Sequence, residues 1–202
     1  MIYQESSLSI SYSSTLPVSL SDMKAYLRVT GTVEDSVITD MIYSAARRVE
    51  NYCRLLLLPG TVTEIFTKLP VSGSNPVYNP ASLVTWWPNS YFSLGVGNLI
   101  SLTSVSANTT DDIATFTPMS STKHVDSGFN RPRLYAPEGW EFSGISPYQI
   151  KVVYTAGYAD VASVPAPLRN ALKRICADMF ENRMNGVDEL TTAAEILMQD
   201  YV

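Results

Sequence analysis

Two blocks of helical period, Ser19–Arg54 and Pro165–Arg183, stand about a hundred residues apart, and the chain between them reads as strands and turns. In the first block Ile38, Met41, Ile42, Ala45, Val49 and Tyr52 recur at intervals of three and four, the spacing of one helix face, opposite Asp40, Ser44, Arg47, Arg48 and Asn51. In the second, Leu168, Ala171, Leu172, Ile175, Cys176, Met179 and Phe180 form the stripe, opposite Arg169, Lys173, Arg174, Asp178 and Glu181. Each Leu, Ile or Phe that is fully buried contributes roughly 1.5–3 kcal/mol before ordering entropy is subtracted. Two such stripes are therefore expected to pack on each other, with Ile38, Ile42, Val49, Leu168, Leu172, Ile175 and Met179 as the helix–helix core.

The ends of these helices are marked by polar residues. Ser19 is placed to cap the first helix, with Asp22 at the capping-box position and Leu20, Met23 and Leu27 on one face. Thr32 followed by Glu34 and Asp35 predicts a second start, since acidic groups favour the positive end of a helix. Pro165 and Pro167 fit the first turn of the later helix, where missing N–H groups cost nothing. Beyond Gly186, Thr192 and Glu195 form a capping-box pair for a short last helix carrying Ile196, Leu197 and Tyr201 on one side. So short a helix must dock, on its own core or on a partner.

Between the helical blocks, Thr61–Thr67 is β-branched and half-alternating after the Pro59-Gly60 turn. The prolines and glycine of residues 70–82 predict a loop. Further strands are expected at 83–87, 99–106, 114–116, 123–125, 133–135 and 149–155, together a small sandwich or barrel. Trp86, Trp87, Tyr91 and Phe92 read as its core and rim. Residues 1–16 alternate Leu8, Ile10 and Tyr12 with serines, the pattern of an extended arm that is either disordered or added to the edge strand of a neighbour. The fold class is α+β: an antiparallel helical frame of two long helices plus short terminal helices, with an inserted small β-sandwich or barrel. The boundaries are an arm over 1–17, a helical domain over 18–59 and 156–202, and the β insert over 60–155.

Net charge is −5 and no basic run exists, which argues against a nucleic-acid binder. Charged residues make up only 16% of the chain, against roughly 25% in soluble domains; either neighbours cover much of the surface or the β surface is Ser/Thr-rich. No apolar run is long enough for a membrane, and the first residues lack a signal-peptide pattern, so the chain is expected to stay in the cytoplasm where it is made. Cys53 and Cys176 fall on or beside apolar helix faces, and a reducing compartment favours two thiols over a bridge. His124 is the one histidine, in a strand without a nucleophile elbow nearby. Asp111-Asp112 is ordinary turn chemistry, and Gly95-Val96-Gly97 lacks the rest of a phosphate cradle. No catalytic, cofactor-binding or metal residues are expected.

The run Leu20–Tyr52, then Ile150-Lys151-Val152-Val153-Tyr154-Thr155-Ala156-Gly157-Tyr158, Val164-Pro165 and the helix ending in Asn182-Arg183, resembles the head-tail connector (adaptor) proteins of long-tailed bacteriophages and gene transfer agents. The resemblance covers both ends of the chain, about two thirds of it, and looks like the subgroup with a β insert between the helices. It implies a homo-oligomer, usually a dodecameric ring, at the virion neck beneath the portal protein. Such a ring receives stopper or tail proteins, and double-stranded DNA passes through its lumen without specific binding. It also implies a portal contact through the last helix, with Ile196, Leu197 and Tyr201 as apolar anchors. The rival reading is a ligand- or receptor-binding β module of a phage tail component, in which the Trp86/Trp87 region would matter most.

Overall fold

A computed structural model describes residues 6–67, 77–79, 84–86, 91–108, 115–119, 124–126, 131–135, 149–183 and 192–202. The chain is mixed α+β, with four α-helices and antiparallel sheets among the described residues. It divides into two compact units, one of Met1–Ser11 with Gly60–Ala156 and one of Tyr12–Pro59 with Gly157–Val202.

The second unit is helical: α1 (Leu20–Leu27), α2 (Asp35–Cys53), α3 (Ala166–Glu181), α4 (Thr192–Met198) and a final 3-10 turn, Gln199–Tyr201. Ser19 caps α1 as its sequence predicts, its Oγ accepting the Asp22 N–H at 3.1 Å. Arg28 then closes the helix in the left-handed region at φ 57°, where a residue ends a helix by turning its N–H back on the last carbonyls. The expected start at Thr32 is displaced: Glu34 is the N-cap of α2 and makes no side-chain cap. Asp35 instead meets the Lys24 ammonium at 2.5 Å, tying α1 to α2. α3 begins after Pro165, with Pro167 in its first turn.

Ile38, Ile42, Ala45, Ala46, Val49 and Cys53 of α2 and Leu168, Ala171, Leu172, Ile175 and Cys176 of α3 are buried in one core. Met23, Val18 and the run Leu55, Leu57 and Leu58 complete it, with Met41, Tyr52, Met179 and Phe180 half-buried against it. Ala194 and Met198 of α4 are fully buried in the same core, so the last helix docks on its own unit. Thr192 is the first residue of α4 rather than the cap ahead of it.

Among the described residues the first unit holds ten strands: β1 (Ser6–Ser11), β2 (Gly60–Phe66), β3 (Val77–Asn79), β4 (Val84–Trp86), β5 (Tyr91–Ser93), β6 (Leu99–Asn108), β7 (Thr117–Pro118), β8 (His124–Asp126), β9 (Arg133–Tyr135) and β10 (Gln149–Ala156). The main sheet runs β1-β2-β10-β6-β7, beside a three-stranded sheet β5-β9-β8 and the pair β3-β4. Strand β10 alternates without exception, Ile150, Val152, Tyr154 and Ala156 inward, the period-two pattern of a half-buried strand. Phe66 of the main sheet meets Phe92 of the three-stranded sheet with ring centroids 4.6 Å apart.

Three expectations fail here. The loop expected over 70–82 contains strand β3, whose three residues pair with β4 despite flanking prolines. The strand expected at 114–116 lies instead at Thr117–Pro118. The arm is ordered within its own chain: Leu8 pairs across from Glu64 and Ile10 from Val62, so β1 extends the sheet on β2. Asp111, Asp112, Trp87 and Gly186 lie outside the described residues.

Candidate assembly surface

The helical unit presents its polar faces on a frame that is tightly fixed. Glu50 of α2 is buried at an otherwise apolar position, where its Oε1 accepts the Leu57 N–H at 2.9 Å and its other oxygen pairs with Arg47. Burial pushes the Glu50 carboxyl above its usual range, against the opposing pull of the Leu57 N–H and Arg47. The Arg47 guanidinium in turn lies 3.3 Å from the Tyr12 ring, and the Tyr43 hydroxyl donates to the Ser14 carbonyl at 2.6 Å. The segment leading into α1 is thereby stitched along α2. Cys53 and Cys176 are free buried thiols, each raised by burial to about 11, too high for a reactive thiolate at neutral pH.

Large apolar side chains left in water mark this unit's surface. Tyr26 on α1 and Val37 at the start of α2 are exposed, and Val33 between them is 93% exposed. On α4, Ile196 is 66% exposed, whereas Leu197 and Tyr201 are half-buried against the unit's own core. The three residues expected to anchor a partner are thus divided by the docking of α4. Of the residues expected in the helix–helix core, Ile38, Ile42, Val49, Leu168, Leu172 and Ile175 are buried and Met179 is half-buried.

A groove of about 240 Å³ opens on the same unit, lined by Val18, Asp22, Val161, Arg169, Asn170 and Lys173 among others. Arg169 and Lys173 stand one turn apart on α3, both half-buried. Neither has an ion pair among the described residues.

Sequence reasoning missed the polar centre of the β unit. Glu64 occupies an inward position of β2 and is 2% exposed. Its carboxylate accepts the Ser6 hydroxyl at 2.9 Å, the Gly95 N–H at 2.9 Å and, more loosely, the Tyr154 hydroxyl at 3.4 Å. Tyr154 also accepts the Val96 N–H at 3.2 Å. Glu64 therefore pins the arm and the loop after β5 to the sheet. Burial raises its carboxyl above the usual range, with the three donors and Arg131 pulling the other way. The signal available in the sequence was a carboxylate at the centre of the alternation Val62, Glu64, Phe66; a buried charge needs donors, but their identity depends on residues 58, 31 and 90 positions away.

His124 opens β8. Among the described residues, no group of three or more potential metal ligands occurs and no helix is long and apolar enough to cross a membrane.

Residues 17–85 match the family model for the phage gp6-like head-tail connector protein. The match takes in about a third of the chain. It covers α1, α2 and β2 and ends within β4. Head-tail connectors are structural virion proteins and not enzymes. The full fold is similar to chains in three solved assemblies. In the neck of an empty gene transfer agent particle computed with C6 symmetry, the TM-score is 0.72 at 16% identity, over 96% of this chain and 94% of that chain. In the virion of a native gene transfer agent particle it is 0.67 at 16% identity, over 95% and 94%. In the neck of a native particle computed with C12 symmetry it is 0.64 at 14% identity, over 96% and 94%. No curated protein matches the chain. The fold likeness thus extends beyond the matched segment to both units.

Proposed function

We propose that the chain is the head-tail connector (adaptor) of a tailed phage or gene transfer agent, at the neck of the virion. In this reading, copies form a ring of twelve beneath the portal protein, bridge the capsid to stopper or tail proteins, and leave a lumen through which double-stranded DNA passes. The observation that carries it is the conjunction of the family match at 17–85 with a fold likeness that spans nearly the whole of both chains compared. The neck assemblies compared were computed with sixfold and twelvefold symmetry, which supports a ring. A net charge of −5 suits a lumen that does not grip phosphates. The helical residues 18–59 and 156–202 act as the connector domain, carrying residues 60–155 as an inserted small β-sandwich or barrel and 1–17 as an arm.

The last helix makes part of the portal contact, with Ile196 foremost because it projects into solvent from a helix whose other face is anchored. Ile196→Asp should fold and melt like the wild type, since the side chain is not in the core. It should also lower capture of the chain by immobilised portal protein by about tenfold or more, the effect of losing a buried apolar anchor. Unchanged capture would move the portal contact elsewhere. A chain that ignores the portal but binds a cell-surface receptor through its β unit would favour the tail-module reading instead.

A further inference from the structure

Side-chain charge on α3 runs with the helix dipole instead of against it. Its first turn has no acid and its last turn no base. Along the helix Arg169, Lys173 and Arg174 come first, and Asp178 and Glu181 follow. Local helix energetics favour the reverse order, because cations belong near the negative C-terminal end and acids near the N-terminal end. The sequence therefore sacrifices some helix stability to make a strongly bipolar surface.

Each pole is also free to act. Arg169 and Lys173 line the groove described above without ion pairs, with Asp22 as the one carboxylate beside them. At the opposite pole Asp178 and Glu181 have no ion pair among the described residues. The nearby Arg183 is committed to Glu34 at 3.0 Å, so it does not neutralise them. Along α3 the rise from the Arg169/Lys173 pair to the Asp178/Glu181 pair is about 13 Å, and no ion pair joins the two within one copy among the described residues. Two different, mutually complementary patches on one protomer are what a head-to-tail contact requires, and such contacts close into rings when the rotation closes.

We infer that the Arg169/Lys173 groove of one copy receives the Asp178/Glu181 end of α3 from the next copy, and that this charged contact sets the order of subunits around the ring. The inference rests on the ring reading given under Proposed function, and it names the contact that the ring uses.

The test uses two double variants of the full chain, Arg169→Glu with Lys173→Glu and Asp178→Lys with Glu181→Lys. Both place charges where the dipole favours them, so thermal melts should be at or above the wild type. Alone on portal-containing capsids, each should lose ring assembly, with association weakened about a hundredfold by juxtaposed like charges. An equimolar mixture should assemble again, because every acidic end then faces a basic groove in alternating order. Assembly of either folded variant alone at the wild-type level would overturn the contact while leaving the ring reading intact. So would failure of the mixture while both variants melt normally. Failure of the wild type to form a ring on the portal would overturn the ring reading and this contact with it.

Discussion

Leu172→Asp unfolds the helical unit. Leu172 is completely buried at the centre of the α3 stripe, in the core shared with Ile38, Ile42 and Val49 of α2. The substitution removes roughly 1.5–3 kcal/mol of apolar burial and places a carboxylate where no donor awaits it, a further cost of several kcal/mol. The total is comparable to the whole stability of a domain, about 5–15 kcal/mol. Circular dichroism should show most of the helical signal lost at 37 °C, while Leu172→Met, which keeps the volume, should cost less than about 1.5 kcal/mol. A soluble Leu172→Asp protein with a normal melting transition would contradict the placement of this helix.

The second large effect comes from a residue with no side chain. Gly157 follows β10 with φ 130°, outside the region that L-residues adopt readily. A Cβ built there would lie 2.4 Å from the Leu58 carbonyl oxygen, 2.5 Å from its carbon and 2.7 Å from the Pro59 nitrogen. All three are backbone atoms that cannot swing aside. Gly157→Ala therefore combines backbone strain of about 1–3 kcal/mol with overpacking of similar size. A loss of about 3 kcal/mol would lower Tm by roughly 6–12 °C in a protein of this size. Gly31 provides the control: it also has positive φ, at 86°, but a Cβ there meets nothing within 4 Å. Gly31→Ala should cost only about 1 kcal/mol. Equal melting shifts for the two variants would show that the close approach to Leu58 does not matter.

What the sequence revealed follows the range over which each feature is determined. The α2 and α3 stripes and the alternation of β10 are set by residues within a few positions, and they stand in the structure where periodicity puts them. Ser19 was legible as a cap because its acceptor geometry is local. Glu34 was not, because the acid expected to serve the start of α2 is drawn away by Lys24, eleven positions back from Asp35. Strand β3 was hidden by Pro76 and Pro80, which lie just outside its three residues and so remove no ladder donor within it. Strand β5 was hidden by its length, three residues being too few to establish a period. Glu64 illustrates the limit most clearly, since a strand pattern cannot name the hydroxyl, amide and phenol that gather around it. The assembly surface shows the same division. The charges of α3 are visible in the sequence as a polar face, but the groove beside Arg169 and Lys173 exists only once Val18, Asp22 and Val161 are brought against it.

The ring and its place at the neck are decided by what the chain does when it meets the capsid portal. Electron microscopy of portal-containing capsids incubated with the purified chain should show a closed ring of twelve copies, coaxial with the portal and continuous with its channel. Isolated copies at scattered sites, or a chain found only at the distal end of the tail in assembled particles, would contradict it.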